Sequence, residues 1–209
     1  MLGINFRRKN IEPTYLYASL KNEKLLTEKQ LIKDCQAHKK PAQFELVKRY
    51  SGMLMTVCRR YVTDQSSAKD VLQESFIRIF SNIKQYKSTG SFEAWMRTIT
   101  IRCALSWLKK RARKKETVIA DINDTLSVKP AVFAQMETEA IIEVIQTLPE
   151  HFRAVFNLNV IEGYSHKEIA KLLNIKESTS RAQLTRARKL LQKKWHAKQG
   201  QTIQKQQSA

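Results

Sequence analysis

Between Ser165 and Lys189 the side chains suit the reading of a polyanion rather than catalysis. Ser165-His166-Lys167-Glu168 is a capping box, in which the Ser oxygen and the Glu carboxylate satisfy free backbone N–H groups at a helix start. Ile169, Leu172 and Leu173 follow as an apolar stripe, and Asn174 can take the left-handed turn conformation in place of Gly. A second helix starts near Glu177, and its period divides it into two faces. Ser180, Leu184, Ala187 and Leu191 pack inward; Ser178, Arg181, Ala182, Thr185, Arg186 and Lys189 face out. Two helices joined by a short turn, the second one basic, form a helix-turn-helix. Arg181 and Arg186 are long enough to reach guanine edges or phosphates in a major groove. The same pattern also suits a helical hairpin with a solvated basic face.

Two further constellations stand out. From Arg97 to Lys115 there are eight basic residues and no acid. Trp95 and Trp107 lie on the same helical stretch as Arg97, Arg102, Lys109 and Lys110, and Tyr86 and Phe92 flank the loop before it. Aromatics beside bases can stack exposed nucleobases while the charges hold the backbone. Phe92 and Trp95 read as core, whereas Trp107 and Tyr86 are more open. In Asp70-Val71-Leu72-Gln73-Glu74-Ser75-Phe76, Leu72, Phe76, Ile79 and Phe80 point one way, and Asp70, Gln73, Glu74 and Arg78 line much of the rest. Acids grouped on one helix of a basic chain suit a protein partner or internal pairs with Arg59 and Arg60. Composition leaves both open.

Catalytic and cofactor chemistry have no local support. The five glycines are never closer than 37 residues, so no clustered-glycine loop can bring backbone N–H groups to a phosphate. Cys35, Cys58 and Cys103 are widely spaced and odd in number, which argues against a zinc site or a disulfide framework. They read as buried free thiols, compatible with a reducing cytoplasm. His38, His151, His166 and His196 are scattered. No catalytic residues, metal or cofactor are expected, nor a targeting signal or membrane span.

The elements that must carry these residues are helical. The 209 residues hold 38 Lys and Arg against 19 Asp and Glu, a net charge of +19, and are 42% apolar. That charge favours a polyanionic partner, and the apolar share can build a core. The charge is divided. From Glu116 to Glu150 there are seven acids and one base, and from Lys176 to Lys205 nine bases and one acid. Two basic blocks around an acidic middle suggest two modules and a connector. The first module begins with a short helix after Thr27, carrying Leu31, Ile32 and Cys35. Pro41 opens the next, with Phe44, Val47, Ser51, Leu54, Cys58 and Tyr61 in a stripe. Ser66 and Ser67 offer N-caps to a third helix, and Ser91 to a fourth bearing Phe92, Trp95, Met96, Ile99 and Cys103. The second module shows stripes at Ala140, Ile141, Val144, Ile145 and Leu148, then at Phe152, Val155, Phe156 and Val160, with stops at Pro149 and Gly163. The fold expected is all-α: an N-terminal extension over 1–26, a helical domain over 27–112, a flexible linker over 113–135, a helix-turn-helix domain over 136–195 and a disordered tail over 196–209.

The motifs are specific enough to carry a resemblance. Asp70-Val71-Leu72-Gln73-Glu74-Ser75-Phe76 looks like the D-x-x-Q-E-x-F signature of region 2 of the sigma-70 family of bacterial RNA polymerase sigma factors, extracytoplasmic-function group. Phe92-x-x-Trp95-Met96 looks like that family's F-x-x-W-L. Leu148-Pro149-Glu150 through Glu162-Gly163-Tyr164-Ser165-x-x-Glu168-Ile169-Ala170 resembles region 4, as does Arg186-Ala187-Arg188-Lys189-Leu190 at its close. The resemblance covers about 44–113 and 139–195. It implies an alternative sigma factor that binds core polymerase, directs it to promoters and assists melting. A stand-alone helix-turn-helix regulator is the alternative. By the same resemblance Asp70, Gln73, Glu74 and Arg78 would dock on the clamp helices of the largest polymerase subunit. Tyr86, Lys87, Ser88, Arg97, Arg102, Lys109 and Lys110 would serve the −10 element and the melted strand. Ser178, Arg181, Ala182, Thr185, Arg186 and Lys189 would serve the −35 element. The implied partners are core RNA polymerase, promoter DNA and, as often in this family, an anti-sigma factor. Four positions depart from the family pattern: Arg102 where Asn is usual, Ser106 where an acid or amide is frequent, Lys176 where Ser is usual and Ser180 where an apolar residue is usual.

Overall fold

The computed structural model describes residues 26–114 and 138–207. The extension before residue 26, and the connector from residue 115 to its expected end at 135, lie outside the described residues. Eight α-helices and no strand are found among the described residues: α1 Glu28–Gln36, α2 Lys40–Tyr61, α3 Gln65–Asn82, α4 Phe92–Lys114, α5 Thr138–Gln146, α6 Glu150–Phe156, α7 His166–Leu173 and α8 Glu177–Gln207. A 3-10 turn at Ile83–Gln85 follows α3, and a π-helical turn at Asn157–Ile161 follows α6. The chain divides into two compact units, Met1–Leu46 and Val47–Ala209.

In the first unit, the Thr27 hydroxyl accepts from the Gln30 N–H at 3.3 Å and starts α1. Glu28 complements the positive end of that helix. Leu31, Ile32 and Cys35 are its buried face, and burial pushes the Cys35 thiol up to about 11. The first turns of α2 bury Ala42 and Leu46, whereas Phe44 is 65% exposed, against the stripe expected from sequence. Phe44 lies two residues from each, roughly 200° around a helix with 3.6 residues per turn. The buried row is therefore the opposite one.

In the second unit, α2 continues with Leu54, Val57, Cys58 and Tyr61 buried. The N-cap of α3 is Asp64 rather than Ser66 or Ser67; its carboxylate accepts from the Ser67 N–H at 2.7 Å. A carboxylate caps about as well as a hydroxyl, and it also answers the helix dipole. Val71, Phe76 and Ile79 form the inner row of α3. Ser91 caps α4, its hydroxyl accepting from the Ala94 N–H at 3.3 Å. α4 buries Phe92, Met96, Ile101, Cys103, Ala104 and Leu105, a set wider than one stripe. It must be wide because one apolar cluster draws together Val57, Val71, Ala104 and Leu105 with Ile145, Val155, Leu158, Ile169 and Leu184. The α5–α8 segment thus packs on α2–α4.

Two local departures have a physical origin. Val160, expected inside, is 37% exposed while Asn157 and Leu158 are fully buried. The π-helical turn inserts extra residues per turn, so the apolar row slips out of register. Gly163, at φ 77°, then reverses the chain. α8 runs to Gln207, well past Trp195. Helix therefore extends over residues 196–207, part of the tail expected to be disordered. This stretch contains no Pro, and Ala, Lys and Gln propagate a helix well.

Candidate nucleic-acid interface

The helix-turn-helix forms as the residue pattern requires. The Ser165 hydroxyl accepts from the Glu168 N–H at 3.3 Å, and the Glu168 carboxylate accepts from the Ser165 N–H at 2.9 Å. The Ser165 hydroxyl, which donates to the same carboxylate at 2.7 Å, together with the Ser165 N–H holds the Glu168 carboxyl below the usual carboxylate range. α7 ends at Asn174, whose φ of 57° is left-handed, and α8 begins at Glu177. Lys176 offers no side-chain acceptor at that start; Glu177 supplies the complementary negative charge.

On α8, Ser180, Leu184, Ala187 and Leu191 are buried. Ser178, Arg181 and Ala182 are exposed, and Thr185, Arg186 and Lys189 half-buried. Arg181 pairs with Glu177 at 2.5 Å, and the Thr185 hydroxyl donates to the Arg181 carbonyl at 3.1 Å. The polar intrusion at Ser180 is satisfied: its hydroxyl lies 2.9 Å from His166 Nδ1. One directional bond replaces an apolar contact between the two helices.

Burial lowers the pKa of His166, aided by nearby Arg181, and burial together with Arg186 does the same to His151. Both shifts favour the neutral ring in the folded chain. Their contribution is complete above the ordinary 6.5 and is lost as pH falls through the depressed folded value. Asp64 and Glu168, lowered by hydrogen bonds from Ser67 and Ser165, have the same sign at lower pH. Thermal melts should therefore show Tm declining as pH drops below 6.5, and again below about 4. His166→Asn should shrink the first decline.

The aromatic-basic face is organised by α4 and the loop before it. Tyr86 donates its hydroxyl to the Gly90 carbonyl, closing the loop. Its ring lies 5.0 Å from Phe92 and 5.5 Å from Trp95, and Phe92 stacks on Trp95 at 5.6 Å. Phe92 is fully buried; Trp95 and Tyr86 are half-buried. Lys87 and Ser88 are exposed, Ser88 at a left-handed φ of 54°. Arg102, Lys109 and Lys110 are exposed. Half-buried Trp107 carries the Arg111 guanidinium 5.2 Å above its ring, a cation–π contact. Arg97 differs from these bases, because its guanidinium donates to Glu162 at 2.9 Å.

The outer face of α3 exposes Asp70, Gln73, Glu74 and Arg78. The internal pairs with Arg59 and Arg60 that the sequence left open do not form among the described residues. Arg59 meets Glu139 at 2.8 Å and Arg60 meets Glu162 at 2.8 Å. Glu74 pairs with Arg78, one turn away, at 2.6 Å. Both are about half exposed, so this pair contributes little and either charge can exchange partners. Ile77, 60% exposed, lies beside them and was not singled out from sequence. Its signal was an Ile at i+3 from Glu74 and i+4 from Gln73, outside the apolar row.

All three cysteines are buried and free; burial pushes Cys58 up to about 12 and also raises Cys103. Among the described residues no group of three His, Cys, Asp or Glu is placed to hold a metal, and no helix is long and apolar enough to cross a membrane.

Residues 46–114 match the family model for sigma-70 region 2, and residues 138–191 that for sigma-70 region 4. The ECF RNA polymerase sigma-E factor of Haemophilus influenzae is 25% identical over 181 residues, 81% of this chain and 95% of that protein. The RNA polymerase sigma-H factor of Pseudomonas aeruginosa is 28% identical over 178 residues, 79% of this chain and 92% of that protein. Among solved structures, the sigma factor RpoE of Bartonella quintana, crystallised with the anti-sigma factor NepR, is 17% identical with a TM-score of 0.45, covering 71% of this chain and 93% of that one. Two regions of one family, in order and together spanning more than half of the sequence, leave a single assignment: the chain belongs to the sigma-70 family of RNA polymerase sigma factors, in its extracytoplasmic-function group.

Proposed function

We propose that this chain is an alternative sigma factor that binds core RNA polymerase, brings it to particular promoters and helps to open them. The observation that carries this reading is the pair of family regions in one chain, each bearing an exposed face of the expected chemistry. Its action is binding without catalysis, in the cytoplasm where polymerase works. Region 2, over 27–112, docks on polymerase through the outer face of α3 and meets the −10 element and the melted strand through the loop after α3 and α4. Region 4, over 136–195, meets the −35 element through α8. Captured bases offset the cost of unpairing them. An anti-sigma factor is the further partner that the family supplies, with no residue here assigned to it.

Co-purification tests the reading. Tagged chain should retain core polymerase subunits through washing, and a chain that binds promoter duplex yet retains none would be a stand-alone regulator instead. Within that assay, Glu74→Lys should weaken polymerase binding roughly tenfold, about 1.4 kcal/mol, with duplex binding unchanged. A larger loss on duplex than on polymerase would remove α3 from the docking surface.

A further inference from the structure

The start of α8, which carries Ser178, Arg181 and Ala182, has a single inward anchor. Of residues 177–183, Ser180 alone is buried. The next buried residue, Leu184, lies one turn further on. The anchor is polar, and its hydroxyl lies 2.9 Å from His166 Nδ1. A hydroxyl both donates and accepts, so this bond stands with either neutral tautomer of the ring. His166 is the first residue of α7, directly after the capping box at Ser165. Fully buried Ile169 lies one turn later. The backbone that carries the ring is therefore fixed on both sides, and the half-buried ring reaches across to α8 from a firm base.

We infer that the bond between His166 and Ser180 sets the roll of α8 about its own axis, and so decides how sharply Arg181 discriminates among bases. This inference rests on the reading of α8 as the −35 contact. Apolar burial is non-directional. Leu184, Ala187 and Leu191 therefore hold α8 against the domain without fixing its rotation at the start. A hydrogen bond weakens steeply away from its preferred angle, and this one meets α8 at the residue next to Arg181. A roll of about 10° moves a side chain ~5 Å from the helix axis by about 0.9 Å. A recognition contact has to be held within roughly 0.5 Å, so loss of this one bond is enough to blur the readout.

The bonds around Arg181 do not replace it. The guanidinium pairs with Glu177, and the Arg181 carbonyl accepts from the Thr185 hydroxyl. Both partners belong to α8, so these bonds turn with the helix. His166 and Ser180 are thus positioning residues: neither needs to touch a base, and both act through Arg181.

The test uses the full chain, alone and with core polymerase, on duplexes carrying a −35 sequence selected from a randomised pool or single-base variants of it. His166→Phe keeps a ring that cannot bond Ser180, and Ser180→Ala removes the hydroxyl. Each should lower the ratio of affinities for selected and variant duplexes roughly fivefold, with affinity for an unrelated duplex unchanged. The double variant should lose no more than either single one, because the two side chains make one interaction. His166→Asn, whose amide can meet Ser180 where Nδ1 does, should stay within about twofold of the parent ratio. An unchanged ratio in either single variant would overturn the inference. So would an equal loss on every duplex, losses that add in the double variant, or a His166→Asn no better than His166→Phe. If one single variant loses helical circular dichroism, the other carries the test. A parent chain that selects no −35 sequence would overturn the reading of α8 itself, and with it this inference; a parent that selects one while its variants discriminate equally well would overturn this inference alone.

Discussion

Arg181→Ala reduces binding to the −35 duplex by about 1–3 kcal/mol, roughly 5- to 150-fold, if its guanidinium makes a bidentate contact to guanine. The side chain is well placed for this: 62% exposed, on the first turns of α8 and on the face opposite buried Ser180 and Leu184. Its guanidinium is held by the exposed pair with Glu177, one turn earlier, and such pairs cost a few tenths of a kcal/mol to break. The measurement is affinity for the preferred −35 sequence and for a set of single-base variants. Arg181→Ala should flatten the differences at one or two positions. A small, equal loss on every sequence would make Arg181 a phosphate contact, with its salt slope reduced by about one.

Leu158→Ala costs about 2–5 kcal/mol of stability, the range for truncating a buried Leu. Leu158 is fully buried in the cluster that joins α5–α8 to α2–α4, and it sits on the π-helical turn, where the backbone has little freedom to collapse into a void. Ile77→Ala is its counterpart. Ile77 is exposed beside Gln73 and Glu74, so its truncation should change stability by less than about 0.5 kcal/mol while weakening polymerase binding several-fold. Urea titrations and polymerase affinities on both variants separate core from docking surface. A destabilised Ile77→Ala, or a Leu158→Ala as stable as the parent, would contradict this division.

Much of this fold is legible because local chemistry and packing agree. The capping box at Ser165, the left-handed Asn174 and the two faces of α8 all follow from residues within a few positions of one another. What sequence could not supply is the docking of region 4 on region 2. Arg60 and Glu162 are 102 positions apart, and nothing local marks either as the other's partner. Arg153 and Asn157 lie outside every apolar stripe and carry no local motif, yet they cap the end of a distant helix. The same docking explains why α4 is apolar over more than one stripe. The π-helical turn was also hidden, since Asn-Leu-Asn-Val-Ile carries no Gly or Pro to announce a register change, and Val160 was misplaced as a result. Phe44 shows the opposite limit: a large apolar residue at helical spacing that the helix turns to solvent.

The central claim is that this chain gives core polymerase its promoter choice. Run-off transcription with purified core polymerase on genomic promoter fragments tests it most directly. Adding the chain should create new starts preceded by shared sequences near −10 and −35, and these starts should vanish with Arg181→Ala and Glu74→Lys combined. Output identical with and without the chain across all fragments would contradict the account.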